Sequence, residues 1–235
     1  MVKKKFDTWQ YVAVALISIL IFISGFILGR KITHLQTSYL NSEIESVYSD
    51  VQENIIDFFI LEISGKTDEE KRVACDFFNQ RIYKISDRVG ELAKNIETFE
   101  KNNGFEDKEY KKLKSKYMDF LLRQWLFSKK IKDSCGGNFS IIIFFYRNVP
   151  PCQECIDQGI VLDYFKKELG EKLFIFSFDT GIDSPSVLYM MNLYNITHVP
   201  SVVFEEKVYN RFVSKDEVQK ELCSKNIDGL LCDGF

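Results

Sequence analysis

The chain has 235 residues, and its 46% hydrophobic and 28% charged content is that of a globular protein with room for one ordinary domain and a further region. The formal net charge is −3, and the basic residues form no continuous patch, which argues against nucleic acid as a partner. Six cysteines are many for a cytosolic protein without a metal, so the redox compartment becomes a central question.

The first predicted element is a membrane-spanning helix at residues 11–29. This segment contains no charged residue, and its length is within the roughly 17–25 residues that a transmembrane helix needs. A cleaved signal peptide is the alternative, but the apolar segment is longer than the usual core of a signal peptide, and no small-residue cleavage site follows it. We therefore expect a cytoplasmic tail at residues 1–10 and a single-pass anchor at residues 11–29.

Basic residues around this segment predict its orientation. Three lysines at positions 3–5 and the amino terminus precede it, whereas Arg30 and Lys31 follow it and the next lysine is Lys66. By the positive-inside rule, the N-terminus stays in the cytoplasm and residues 30–235 lie outside it. An extracytoplasmic location also suits the six cysteines.

Residues 30–134 are expected to be helical, because no Pro occurs between the apolar segment and Pro150 and apolar residues recur at intervals of three or four. The apolar positions of a first helix are Ile44, Val47, Val51, Ile55 and Phe58. Those of a second helix are Val73, Phe77, Ile82, Ile85, Val89, Leu92 and Ile96. Those of a third helix are Tyr110, Leu113, Tyr117, Phe120, Leu121 and Leu126.

Local signals set the limits of these helices. Thr67 and Glu70 form a capping box that opens the second helix, and KNNG at 101–104 ends it. The third helix runs from about Glu106 to Ile131, and the charged segment EDKEYKKLKSK (106–116) is interpreted as its solvated face. We expect a three-helix stalk or bundle without chemistry of its own; a partner-binding coiled coil is the alternative.

From Phe139 the pattern changes to alternating strands and helices in the order β-α-β-α-β-β-α. Strands are expected at 139–146, 172–179, 201–206 and 207–213, and the very apolar first one is typical of a strand buried on both faces. A helix at 155–170 should face inward at Ile156, Ile160, Leu162 and Phe165. Ser184 is expected to cap the next helix, which has Pro185 at its first position, and SKDE (214–217) is a capping box for the last one.

Cys152 and Cys155 form a C-x-x-C motif where the first strand turns into a helix. Such a pair can bind a metal, form a structural disulfide or exchange electrons with other thiols. A zinc site would need a second close pair of ligands, but Cys223 and Cys232 are separated by eight residues and the chain has only two His. We therefore expect neither a metal nor another cofactor.

A second motif, YNITHVPS (194–201), precedes the third strand. Together with the C-x-x-C motif and the order of elements, it resembles the thioredoxin superfamily over about residues 135–223, within an expected domain of residues 135–235. The resemblance implies a thioredoxin-like fold in which a cis Pro200 faces the cysteine pair and the backbone at Val199 binds a substrate strand. It departs from the family at Pro151, where an aromatic residue is usual, and in the first strand, which carries no carboxylate.

The position of the cysteines predicts their roles. Cys152 lies at a helix N-terminus, where backbone N–H groups and the helix dipole stabilise a thiolate, so it should be the nucleophile. Cys155, one turn further along, should resolve the mixed disulfide.

The other four cysteines are expected to form structural disulfides. Folding the second and third helices back on each other about residue 103 brings Cys75 near Cys135. Cys223 and Cys232 would close a short loop that contains Gly229. Such bridges persist in an oxidising compartment.

These patterns predict a membrane-anchored, extracytoplasmic thiol–disulfide oxidoreductase. Its partners would be protein thiol or disulfide substrates and a redox protein that recycles the cysteine pair. The alternative is a non-enzymatic membrane tether whose helical region and thioredoxin-like domain only bind partner proteins.

Overall fold

The computed structural model describes residues 8–64, 67–103, 108–224 and 232. The chain is of mixed α/β class. Its helices are α1 (Thr8–Ser64), α2 (Asp68–Asn103), α3 (Lys108–Cys135), α4 (Gln153–Leu169), α5 (Pro185–Leu193) and α6 (Lys215–Cys223). Its strands are β1 (Ser140–Tyr146), β2 (Leu173–Asp179), β3 (Ser201–Phe204) and β4 (Lys207–Tyr209). Three predictions lie wholly or partly outside the described residues. They are residues 1–7 of the expected tail at 1–10, the expected start of the third helix at Glu106, and the loop residue Gly229.

Helix α1 is continuous over 57 residues and joins the apolar segment to the first helix of the helical region. Within it, Tyr11–Gly29 has a mean hydropathy of 2.7 and no buried residue, so it is long and apolar enough to cross a membrane. No Pro or Gly interrupts residues 30–64, which explains why the helix does not break. Of the apolar positions expected in this helix, Ile44 is buried, as is Leu40 one turn earlier. The side chains at positions 47, 51, 55 and 58 are outside the described part of the structure.

Helices α2 and α3 pack on each other through apolar side chains at helical spacing. The capping box at the start of α2 is confirmed, because the Glu70 N–H donates to Thr67 Oγ1 at 3.3 Å and the Thr67 N–H donates to the Glu70 carboxylate at 3.2 Å. The fully buried members of these two helices include Ile82, Leu92, Ile96, Leu113, Met118 and Leu121. Three members of the expected apolar series are instead largely exposed, namely Val73, Phe77 and Leu126.

The four strands form one mixed sheet in the order β2-β1-β3-β4, with β1 parallel to β2 and β3 antiparallel to both its neighbours. Strand β1 is therefore central. Its Ile142 and Phe144 pack with α4 and α6 on one face, while Ile143 and Phe145 pack with α3 and α5 on the other. Coverage on both faces is the reason that β1 is apolar throughout.

The hydrophobic core continues from the helical region into the sheet. Met118 and Leu121 of α3 belong to the same buried cluster as Phe145 and Phe178 of the sheet. The expected boundary between residues 134 and 135 falls at the end of α3, but the core crosses it. Helix α3 thus packs directly on the sheet as part of the layer opposite α4.

Two predictions for the α/β region are wrong. Ile156 and Ile160 are 55% and 65% exposed, whereas Leu162 and Phe165 are buried as expected. The inward position is taken by Gln158, whose amide donates to the Val213 carbonyl at 3.2 Å and accepts from the Val213 N–H at 2.7 Å. This pairing satisfies a buried polar side chain and fixes the segment before α6 against α4.

The second wrong prediction concerns a helix cap. Ser184 is the N-cap residue of α5 and Pro185 its first residue, as expected, but the Ser184 side chain makes no capping hydrogen bond. It donates instead to Asp119 Oδ1 of α3 at 3.2 Å. The capping box of Ser214 and Glu217 at the start of α6 is confirmed. Strand β3 ends at Phe204, earlier than expected, because Glu205 adopts a positive φ of 58° in the tight turn that follows it. Strand β4 begins at Lys207 as expected but ends at Tyr209 instead of position 213.

Candidate functional site

The C-x-x-C motif lies at the N-terminus of α4, after the short loop that follows the central strand β1. Cys152 is the N-cap residue, and its Sγ accepts a hydrogen bond from the Cys155 N–H at 3.2 Å. The two cysteines form a disulfide with their Cα atoms 5.2 Å apart. Cys155 is buried and Cys152 is partly exposed, so Cys152 presents the sulfur that an incoming thiol can reach.

The loop before β3 faces this pair. Cys152 Sγ lies 4.0 Å from the carbonyl oxygen of Val199, and Pro200 is buried next to it. The Val199–Pro200 peptide bond is cis. Ser201 holds the loop, because its hydroxyl contacts the His198 carbonyl at 2.6 Å and Asn210 Oδ1 at 2.9 Å. The structure therefore brings all four predicted site residues together.

The remaining cysteines form two further disulfides, in the pairing that the sequence suggests. Cys75 and Cys135 join α2 to the end of α3 with a Cα–Cα distance of 5.4 Å. Cys223 and Cys232 are joined at 5.6 Å. Neither bridge belongs to the site around Cys152. Among the described residues there is no group of three or more His, Cys, Asp or Glu side chains that could hold a metal ion.

A buried charged cluster lies at the carboxyl end of β2, and sequence reasoning missed it. Glu100, Lys114 and Asp179 are each at most 5% exposed. The Lys114 ammonium lies 3.5 Å from the Glu100 carboxylate and 4.0 Å from that of Asp179. The interpretation of residues 106–116 as a solvated face is therefore wrong for Lys114.

The signal that could have revealed Lys114 is its position in α3. It follows Tyr110 by four residues and precedes Tyr117 by three, so it lies on the same helical face as these two buried side chains. A charge on an apolar face is buried, and a buried charge needs an opposite charge beside it.

The environment of the cluster perturbs its ionisation. Burial raises the pKa of Asp179, an effect that Lys114 partly offsets. Burial lowers the pKa of Lys114, but Tyr110, Glu100 and Asp179 outweigh it, so the net pKa of the lysine is raised. Lys114 is therefore the stable cation of the group.

The cluster also fixes the loop between β1 and the cysteine pair. Glu100 accepts hydrogen bonds from the Tyr110 hydroxyl at 2.6 Å and from the amide of Asn148 in that loop. On the other side of the loop, a Cβ at Gly181 would lie only 3.3 Å from the Val149 carbonyl oxygen, so a side chain at this position would press on the loop. Helix α2 thus contributes directly to the position of Cys152.

A cleft of about 1100 Å³ runs from the cysteine pair between α2, α4 and β2. Its lining includes Cys152 at one end, Ile156 and Ile160 of α4, and residues 174–177 of β2. The wall opposite α4 is formed by residues of α2 between positions 86 and 100. The cysteine pair is therefore the end of an extended depression and not an isolated surface feature.

No protein-family model matches this chain. No curated protein matches it either. A solved structure described as "Structure of a malarial protein" is similar at a TM-score of 0.33 and 16% sequence identity, covering 38% of this chain and 99% of that one. Similarity at that level carries no argument about fold or function.

Proposed function

We propose that this chain is a membrane-anchored thiol–disulfide oxidoreductase of the thioredoxin superfamily that exchanges disulfides with protein substrates. The observation that carries the proposal is the geometry of the cysteine pair. Cys152 and Cys155 form a disulfide at the N-terminus of α4, and the partly exposed Cys152 sulfur lies 4.0 Å from the Val199 carbonyl.

The thioredoxin-like fold is supported by the arrangement of the elements. The order from β1 to α6 is β-α-β-α-β-β-α, and the C-x-x-C motif opens the helix that follows the central strand. Pro200 precedes β3 and faces the pair, as the resemblance implies.

The proposed reaction is thiol–disulfide exchange in two displacement steps. With the pair oxidised, a substrate thiolate attacks Cys152 Sγ, the Cys152–Cys155 bond breaks, and Cys155 leaves as a thiolate that takes a proton from solvent. A second substrate thiolate then attacks the first substrate sulfur and releases Cys152 as a thiolate. The substrate gains a disulfide and loses two electrons, which reduce the pair; the reverse sequence reduces a substrate.

The helix N-terminus supplies the stabilisation that Cys152 needs as attacking or leaving group. Its sulfur already accepts the Cys155 N–H, and it lies at the positive end of the α4 dipole. Both effects favour a thiolate at this position over a neutral thiol. The buried Cys155 is reached only through Cys152, which makes it the resolving residue.

We expect Cys155→Ser to accumulate mixed disulfides between Cys152 and substrate proteins, because the residue that resolves them is absent. Cys152→Ser should accumulate far fewer, since the exposed sulfur is gone. Non-reducing electrophoresis of the two full-length variants after rapid thiol blocking measures the difference. Stronger trapping by Cys152→Ser would reverse the assigned roles, and a pair that is inert toward thiol probes in the wild type would favour the non-enzymatic tether.

The proposed location is a membrane anchor with residues 30–235 outside the cytoplasm. It is supported by the apolar Tyr11–Gly29 segment, by the lysines that precede it, and by the three disulfides, which persist in oxidising compartments.

The Val73 side chain is 62% exposed. In intact cells, we expect a membrane-impermeant maleimide to label a single-cysteine variant that carries its cysteine at such an exposed position. A cysteine introduced at position 3 should be labelled only after lysis. Labelling in the opposite order would invert the proposed topology.

A further inference from the structure

We infer that the cleft between α2 and α4 binds an extended peptide segment, which adds to the free edge of β2 as a fifth strand. The identification of this peptide as part of a redox substrate rests on the proposed function. The outward-facing backbone groups of β2 and the walls of the cleft both favour a peptide as the ligand.

The pairing between β1 and β2 determines which backbone groups of β2 are used. The strands are parallel with Tyr146 opposite Asp179, and the Tyr146 carbonyl accepts the Thr180 N–H at 2.8 Å. In a parallel ladder, alternate residues of a strand bond to the same neighbour. The even-numbered residues of β2 therefore bond to β1, and its odd-numbered residues turn their N–H and C=O groups away from the sheet.

The outward groups at both ends of β2 are satisfied by the protein itself. The Leu173 N–H donates to the carbonyl of the preceding turn, and the Leu173 carbonyl accepts from Lys166 Nζ at 2.7 Å. The Asp179 N–H donates to the sulfur of Met118 at 3.4 Å, and the Asp179 carbonyl accepts the Ile182 N–H at 3.2 Å. The edge of β2 is thus closed at each end by specific contacts.

The middle of the edge is open. The N–H and C=O groups of Ile175 and Ser177 have no hydrogen-bond partner in the part of the chain that the structure describes. Both residues are partly exposed and line the cleft. Backbone groups in such a place must bond to water or to a ligand. The two residues lie roughly 7 Å apart along the strand, which is the repeat that a neighbouring β-strand matches.

The walls of the cleft suit the side chains of an added strand. On α4, Ile156 and Ile160 expose apolar surface, and a Cβ built at Gly159 would meet no atom within 4 Å. On α2, Gly90 also leaves open space. An extended segment could place alternate side chains against these surfaces while its backbone pairs with Ile175 and Ser177.

Gln124 provides a second observation that points to a ligand. Its side chain is 1% exposed and lines the cleft, and neither its Oε1 nor its Nε2 has a partner among the described residues. A buried amide without partners is costly, and its one acceptor and one donor group match those of a peptide unit. Cys152 lies at one end of the same cleft. A substrate cysteine next to the bound segment would therefore lie close to the Cys152 sulfur.

Hydrogen exchange tests the pairing directly in the full-length, oxidised protein in detergent micelles. The probe is a ten-residue peptide of alternating valine and threonine without cysteine, so binding requires no redox step. With the peptide at saturation, exchange of the Ile175 and Ser177 amides should slow at least tenfold. The Phe176 amide, which already bonds to β1, is the internal reference and should not change. The same peptide N-methylated at alternate residues should bind at least tenfold more weakly.

A variant that fills the cleft gives an independent readout. Gly159→Phe should weaken peptide binding at least tenfold, while Gly159→Ala, the matched control, should change it by less than threefold. Binding without protection of Ile175 and Ser177 overturns the inference, as does the absence of binding. The inference is also wrong if the Ile175 and Ser177 amides are protected from exchange without peptide and lose this protection on dilution. That result would show that a second copy of the chain pairs with the edge of β2.

These outcomes are distinguishable from failure of the proposed function. Exchange of electrons between the wild-type pair and glutathione tests the redox activity without the cleft. If this exchange occurs and the peptide does not bind, the inference is wrong and the proposed function stands. If the peptide binds as expected and the pair is inert, the chain is a peptide-binding module and the proposed oxidoreductase activity is wrong.

Discussion

Three buried charges connect the helical region to the loop that leads into the cysteine pair. Glu100 comes from α2, Lys114 from α3 and Asp179 from β2, so the cluster joins two consecutive helices to a strand that is distant in sequence. Burying a charge is tolerated only where another charge or several hydrogen bonds compensate for lost hydration. Their contacts therefore link α2, α3 and β2 to the loop that leads into the cysteine pair.

Asp179 should make stability depend on pH, because burial raises its pKa in the folded protein. Its contribution to the free energy of unfolding is fully present at pH values below its pKa in the unfolded chain, about 3.9. The contribution is lost as pH rises through the higher pKa of the folded protein, because the buried carboxyl group must then ionise. Asp179→Asn removes this dependence. We expect the wild type minus variant difference in unfolding free energy to fall as pH rises from about 4, as measured by urea denaturation.

Glu217 is a control of opposite sign. Its hydrogen bonds with Arg211 and Ser214 lower its pKa to about 2. Its contribution is therefore present above the unfolded pKa and is lost as pH falls toward 2, although exposure to solvent keeps it small. The wild type minus Glu217→Gln difference should fall with decreasing pH. Parallel slopes for the two variants would contradict the assigned environment of Asp179.

For single residues, the sequence predicts those that belong to local motifs, but it does not predict contacts between residues distant in sequence. The positions of Cys152 and Pro200 at one site follow from short motifs whose places relative to the strands can be read from the chain. Burial of Lys114 depends on carboxylates at positions 100 and 179, and burial of Gln158 depends on the backbone of Val213. Such partners are visible only once the elements are packed.

The serines at the N-termini of α5 and α6 distinguish the effect of helix capping from that of packing between helices. Ser214 caps α6 through its own helix, whereas Ser184 and Ser186 of the α5 N-terminus donate to Asp119 of α3 at 3.2 and 2.6 Å. The same residue type therefore stabilises one helix locally and joins two helices in the other case.

We expect Ser214→Ala to lower the free energy of unfolding by about 1 kcal/mol through loss of the cap. Ser184→Ala should have a similar cost, but of different origin, since it removes a hydrogen bond to a carboxylate. A double-mutant cycle with Asp119→Ala distinguishes them. Coupling of about 1 kcal/mol is expected with Ser184 and none with Ser214. Equal coupling in both cycles would show that Ser184 does not act through α3.

Most elements were predictable because each carries its own local signal. Capping boxes mark the starts of α2 and α6, and continuous apolar segments mark β1 and β2. The errors have a common cause: the sequence shows a helix and its apolar positions but does not show what each face meets. Ile156 and Ile160 are exposed and line the cleft, whereas a periodicity argument assigns them to the core.

The helical region and the sheet share a hydrophobic cluster and are joined by a long-range disulfide. Cys75–Cys135 links residues 60 apart and ties α2 to the end of α3 immediately before β1. In the chain-entropy view, a loop of this length is worth about 4 kcal/mol. Helix α3 therefore packs on the sheet within this cluster, which sequence periodicity alone could not reveal because it does not fix the docking of α3.

This packing predicts that residues 135–235 alone do not form a stable domain. Without α3, the sheet face that carries Phe145, Phe176 and Phe178 loses the larger part of its cover and keeps only the nine-residue helix α5. Exposing each of these side chains costs about 1.5–3 kcal/mol, so together they approach the whole stability of a typical domain.

We expect the 135–235 fragment to bind a hydrophobic dye and to lack a cooperative urea transition. The matched control is a chain that begins at residue 30, which keeps α2, α3 and the disulfide between them and should unfold in a single transition. Circular dichroism and dye fluorescence across a urea series measure both. A fragment that unfolds cooperatively at the same urea concentration as the control would show that the sheet does not need the helical region. The core that crosses residue 135 would then be a contact between two independently stable parts.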